Sequence, residues 1–165
     1  MRYPLDKVCV KSGVLCEVCR RKVESGVVSE SELPVMRALM TLEEKSKALR
    51  KGEYVKSYTL DDEVLVMLRG EWERGELDEV AKALSDALGK RVKVIVDSAD
   101  RRRIVEQVVS PASLMGVDEV WLPNGIQLVR VRISRRDKRF LRGREREYEE
   151  LLSSLVGSRV RLSFE

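Results

Sequence analysis

The chain has 165 residues, of which 36% are charged and 43% hydrophobic, with 32 Lys and Arg against 28 Asp and Glu. That mixture describes a folded, charge-laced surface around a feasible core and excludes a disordered tail. His is absent, which removes the commonest general acid/base and the commonest metal ligand and weighs against most hydrolase chemistry.

The N-terminus, residues 1–13, has no signal-peptide core, and no apolar run is long enough to span a bilayer, so a cytoplasmic protein without a membrane partner is expected. Asn occurs once and Gln twice beside abundant Lys, Arg and Glu, a balance that resembles the hyperthermophile bias.

Residues 1–28 form a segment that holds all three cysteines, Cys9, Cys16 and Cys19. A helix is predicted from Ser29 or Ser31, either of which can cap it, with Pro34 tolerated in the first turn. Leu33, Met36, Leu39, Met40 and Leu49 supply its apolar face, and Gly52 ends it. Strands follow at 54–60 and 63–69 around Asp61-Asp62; apolar residues at successive positions of the second predict that both its faces are covered. A helix over 76–88 places Leu77, Val80, Ala81, Leu84 and Leu88 at helical spacing, Gly89 follows it, and a strand covers 91–96.

The order then recurs. Asp100 caps a helix to Val109, which Ser110-Pro111 breaks. Residues 119–122 and 127–133 read as a hairpin around Asn124-Gly125. A helix over 144–156 and a strand over 159–164 close the chain. Shifted by 68, residues 72–94 fall on 140–162 without a gap, and eight of the 23 positions are identical, among them Gly75/Gly143 and Gly89/Gly157. Duplication explains this better than the general likeness of helix–Gly–strand segments.

Three stretches, Ala87 to Asp97 with Val109-Ser-Pro-Ala112, Gly116 to Gly125, and Gly157 to Glu165, resemble the archaeal NusA-like transcription factors, which carry two KH units in tandem. The segment Cys9-Val-Lys-Ser-Gly-Val-Leu-Cys16-Glu-Val-Cys19 is similar to the opening of a related archaeal KH-protein group. The resemblance implies an α+β fold with two KH-like units of the prokaryotic α-β-β-α-β type, over 29–97 and 98–165. It also implies a non-catalytic, single-stranded RNA-binding protein of transcription elongation or termination, near RNA polymerase.

In KH domains a GxxG turn clamps the nucleic-acid backbone. Here the first unit has Gly75-Glu-Leu-Asp78 and the second Gly143-Arg-Glu-Arg146, each without its second glycine. Charge separates the two. Residues 71–79 hold five acids against Arg74, a net of −4, so Gly75 and Asp78 mark a degenerate turn that repels phosphate. Residues 130–146 hold Arg130, Arg132, Arg135, Arg136, Lys138, Arg139, Arg142, Arg144 and Arg146 against Asp137 and Glu145, a net of +7. These nine with Gly143 are the candidate RNA contacts. A solvated face of Arg–Glu pairs is the competing reading, because Glu147, Glu149 and Glu150 follow. The acidic first turn leaves open a protein-docking role on polymerase or the ribosome.

The cysteines are spaced C-x6-C-x2-C, and the Cys16-x-x-Cys19 pair has zinc-knuckle spacing. A fourth thiolate or His is missing; Asp6, Glu17, Glu24 or a second chain would have to complete a Zn site. Reduced thiols, a disulfide and a thiol-dependent activity remain as alternatives. Trp72 and Phe140 are expected to pack under their turns, Trp121 to be structural, and Arg101-Arg102-Arg103 to form a solvated face.

Overall fold

A computed structural model describes residues 1–165. The chain is α+β and divides into two compact units, Met1–Asp97 and Ser98–Glu165, each built on one three-stranded sheet.

The cysteine segment folds into two short helices, α1 (Lys7–Ser12) and α2 (Glu17–Glu24). The Asp6 carboxylate accepts from the Val8 amide to start α1, and Gly13, at φ 78°, stops it. Leu5, Cys9, Val10, Cys19 and Val28 are buried and join the core of the first unit.

The single helix expected up to Gly52 is broken into α3 (Glu32–Glu43) and α4 (Lys47–Arg50). Ser46 is extended, and the Arg50 guanidinium donates back to the carbonyls of Glu43 and Glu44, each at 3.1 Å. Carbonyls left over at the end of α3 are thereby satisfied, and Leu49 turns into the core. Strand β1 (Glu53–Thr59) pairs antiparallel with β2 (Glu63–Arg69), and β2 pairs parallel with β3 (Arg91–Val96) across α5 (Arg74–Leu88). β2 is central and buried from Glu63 to Leu68, in line with its unbroken apolar run. Val80 and Leu84 of α5 are buried, and Gly89 ends the helix in the left-handed conformation.

The second unit runs α6 (Arg101–Val109), β4 (Leu114–Trp121), β5 (Gln127–Ile133), a 3-10 turn (Arg135–Phe140), α7 (Glu145–Val156) and β6 (Val160–Phe164). β4 begins five residues before the predicted hairpin start. A bulge at Met115, between Leu114 and Gly116, interrupts the alternation that would have announced it. β4 and β5 are antiparallel, β5 and β6 parallel. Val129, Val131 and Ile133 point into a core with Ile104, Val105, Leu151 and Leu152.

Both units therefore share sheet order and strand direction. The first strand of each also carries a bulge at the matching place: Tyr54/Lys56 opposite Leu68/Met67, and Leu114/Gly116 opposite Ile133/Arg132. In the last strands Val96 pairs Leu68 and Phe164 pairs Ile133. Val96 and Phe164 are 68 residues apart, the offset of the sequence repeat. No helix is long and apolar enough to cross a membrane.

Candidate functional site

Between the end of β2 and the start of α5 lie four residues, 70–73; between β5 and α7 lie eleven, 134–144. The extra chain in the second unit is the 3-10 turn and the bend after it, and it carries most of the basic run. Its backbone is pinned. The Arg135 amide donates to Glu165 O at 2.9 Å, Ser134 N to Ser113 O at 3.2 Å, and Leu141 is buried. The Asp137 carboxylate accepts from the Ser113 amide at 2.9 Å. That backbone donor, with the Ser113 side chain and the nearby Arg139 and Arg136, holds the Asp137 carboxyl below the usual carboxylate range.

From this pinned segment Arg135, Arg136, Lys138, Arg139 and Arg142 project into solvent, and none of the five makes an ion pair. Arg139 lies 4.9 Å from the Phe140 ring centroid and Lys138 lies 5.4 Å from that of Phe164. The other four basic residues are engaged. Arg130 and Arg132 reach Asp118 at 3.3 and 2.7 Å, and Arg132 also reaches Glu165 at 3.5 Å. Arg144 lies 3.6 Å from Glu147, and Arg146 lies 3.9 Å from Glu150. The structure thus separates the run into a projecting set of five and a set of four tied to neighbouring carboxylates.

The two aligned glycines differ. Gly143 has φ +80° and nothing near the position of a Cβ, so its backbone is open to close approach. Gly75 and Asp78 are not in a turn: both lie in the opening of α5, and Glu76 accepts from the Glu73 amide at 3.0 Å as part of the helix cap. Trp72 and Phe140 differ as well. Trp72 donates from Nε1 to Ala48 O at 2.8 Å and covers Gly52 and Gly70, where any Cβ would collide with the indole. Phe140 is 38% exposed, so the packing role expected of it does not hold. Trp121, expected to be structural, is 68% exposed.

A groove of about 830 Å³ runs between α7 and the edge strand β6, starting at Glu145 and Arg146 just after the basic bend. Three carboxylates, Glu145, Glu149 and Glu150, balance Arg146, Arg159 and Arg161 along it, with Ser153 and Ser154 between. The groove was not legible in the sequence, because it depends on how α7 packs beside β6.

In the first unit the three thiols converge. Their sulfur atoms lie within 4.8 Å of one another and could hold a metal ion. Each accepts a backbone N–H: Asp6 to Cys19 at 3.3 Å, Cys16 to Cys9 at 3.3 Å, and Cys19 to Cys16 at 3.5 Å. Cys9 and Cys19 are buried and Cys16 is exposed at the start of α2. The Cys19 amide, chief among several donors, holds the Cys16 thiol below its ordinary range, whereas burial pushes Cys19 up. The oxygens considered as fourth ligands lie outside this cluster: Asp6 caps α1 and Glu17 pairs with Arg21 at 2.6 Å.

No family model matches the sequence, and no curated protein does. Among solved structures, the crystal structure of APE1850 is similar, with a TM-score of 0.52 and 18% identity, over 79% of this chain and 96% of that one. At that identity the likeness concerns the fold alone.

Proposed function

We propose that this chain is a non-catalytic, single-stranded RNA-binding protein built of two KH-like units, of which the second grips the RNA. The observation that carries the reading is the set of five unpaired cations, Arg135, Arg136, Lys138, Arg139 and Arg142, on a pinned segment beside Gly143. Cations outside any salt bridge are available to phosphates without first breaking one, and Asp137, the carboxylate near Arg136 and Arg139, is already held by the Ser113 amide. The α7–β6 groove begins where this segment ends, so phosphates on the bend leave the bases to enter the groove. Its carboxylates and hydroxyl oxygens offer acceptors, and Arg146, Arg159 and Arg161 offer donors, to base edges. The α-β-β-α-β order of both units and the glycine bend support the KH-like reading, and with it a NusA-like role in transcription.

The first unit has no counterpart of the basic segment; Trp72 closes that place, and residues 71–79 are acidic. This half suits a basic protein surface, such as one on RNA polymerase, better than RNA.

The test is filter binding of a short single-stranded RNA across salt concentrations. About five neutralised phosphates give a slope of log K against log salt of roughly −3 to −4. Charge reversal of Arg135, Arg136, Arg139 and Arg142 together is expected to weaken binding at least about tenfold and to flatten the slope. A near-zero slope in the unmodified protein overturns the reading.

We further read the thiol cluster as a structural Zn²⁺ site. Zn–S bonds of about 2.3 Å in a tetrahedron separate sulfurs by about 3.8 Å, which the present spacing reaches by small side-chain rotations. The fourth ligand comes from outside the cluster, on the exposed side at Cys16. Metal analysis of protein purified without chelator is expected to give one zinc per chain, and less than about a quarter equivalent overturns this.

A further inference from the structure

Trp121 is the last residue of β4 and is 68% exposed, the most exposed large apolar side chain of the second unit. Tryptophan is highly buried on average in folded proteins, so an indole left in water is the observation to explain. It does not hang on a loose loop. Trp121 pairs with Gln127 across the β4–β5 ladder, and the turn beyond is closed by Leu122 N to Ile126 O and Gly125 N to Leu122 O, both 2.9 Å. The Ile126 amide also donates to the Asn124 side chain at 3.2 Å. The ring is therefore carried on a rigid hairpin.

The strand face that carries it meets the first turn of α6. Glu119 lies two residues earlier on the same face of the strand, about 7 Å along it, and pairs with Arg101 at 3.2 Å. That ion pair brings the first turn of α6 to the Trp121 end of β4. Arg102 and Arg103 follow in the same turn, are exposed, and have no carboxylate partner. Gln127, opposite Trp121, adds an amide that donates and accepts.

We propose that Trp121 is a stacking platform for an unpaired base of single-stranded nucleic acid, with Arg102 and Arg103 holding the adjoining phosphates. An aromatic face on a rigid element beside unpaired cations is the chemistry that recognises single strands, because every base has a face to stack and every linkage a charge to neutralise. A purely apolar protein partner would not need the two arginines; a purely electrostatic contact would not need the indole. The platform rests on the RNA-binding reading, since it extends the same ligand to a second place on the same unit.

The test uses a fluorescein-labelled oligouridylate and anisotropy with the full chain. Trp121→Ala is expected to weaken binding about five- to a hundredfold and to leave the salt slope unchanged, because stacking releases no counterions. Trp121→Phe recovers part of the loss. Intrinsic tryptophan emission is quenched as oligonucleotide is added, and the quench disappears in Trp121→Ala. If the unmodified protein binds, and loses binding on charge reversal at Arg135, Arg136, Arg139 and Arg142, yet Trp121→Ala binds equally well, the platform is overturned and the RNA reading stands. If the unmodified protein binds no oligonucleotide, both fall. If Trp121 emission responds to a protein partner and not to oligonucleotide, the surface is a protein-docking site and the platform is overturned.

Discussion

Glu32 and Tyr54 meet inside the first unit: the Tyr54 hydroxyl donates to Glu32 Oε1 at 2.7 Å, and the carboxylate is 1% exposed. The same carboxylate accepts from the Ser29 amide at 2.7 Å and the Ser57 amide at 3.1 Å, and Lys56 stands 3.8 Å away. One buried anion thus ties the start of α3 to β1 just past its bulge. Burial, with the adjacent Glu32 charge, pushes the Tyr54 phenol well above its ordinary range.

Glu32→Ala is accordingly expected to destabilise the first unit by about 2–4 kcal/mol, because it takes the acceptor from the buried Ser57 amide, leaves the Tyr54 hydroxyl only Ser57 Oγ, and releases the start of α3 at Ser29. Tyr54→Phe, which removes one donor and leaves the carboxylate its other partners, is expected to cost about 1–2 kcal/mol. Urea unfolding followed by circular dichroism checks the ranking; equal stabilities for the two variants would contradict it.

The aligned glycines invite opposite substitutions. Gly75 is helical with open space where a Cβ would go, so Gly75→Ala is expected to raise stability by about 0.5–1 kcal/mol. Gly143 sits at φ +80°, so Gly143→Ala is expected to lower it by about 1 kcal/mol. Thermal melts of the two single variants decide the matter, and shifts of the same sign would show that the glycines share one conformation.

Gly116 has a different reason to be small. The Arg132 guanidinium lies over it and would collide with any Cβ. Arg132 also bridges Asp118 on β4 and Glu165 beyond β6. Gly116→Ala is expected to swing the flexible end of Arg132 aside and cost no more than its ion pairs, about 0.5–1 kcal/mol, whereas Arg132→Ala in the Gly116→Ala background adds little. A double-mutant cycle measures the coupling, and full additivity would remove the proposed contact.

The thiols should titrate apart in metal-free protein. Hydrogen-bond donors depress Cys16, so its thiolate persists at lower pH than that of a free cysteine, and burial raises Cys19. Iodoacetamide is expected to modify Cys16 first, with a rate that falls only as pH drops through a midpoint below the ordinary thiol range near about 8.5. Mass mapping against pH checks this; first modification at Cys19 would contradict it.

Hydropathy and glycine punctuation made most elements legible. The strands around Asp61-Asp62, the helices ending at Gly89 and Gly157 and the offset of 68 all correspond to what forms. Those features depend on local periodicity, which one strand or helix displays by itself. The concentration of charge at 130–146 was legible for the same reason, being a matter of sequence neighbourhood. Which of those cations stand free was not legible, because the partners of Arg130 and Arg132 lie on other strands. The break after Glu43 likewise depends on Arg50 reaching back to cap α3.

By itself the sequence determined the order of the strands and of the longer helices, the internal repeat at an offset of 68 and the place of the positive charge. Tertiary structure decided that Gly75 is helical while Gly143 bends, that Trp72 is sealed over Gly52 and Gly70 while Trp121 faces water, and that Cys9 joins Cys16 and Cys19. The physical reason is common to these cases. Local propensity fixes the conformation of a short stretch, but exposure, ion pairing and ligand geometry depend on groups brought together by strand register and helix packing, at separations in the chain that no local pattern records.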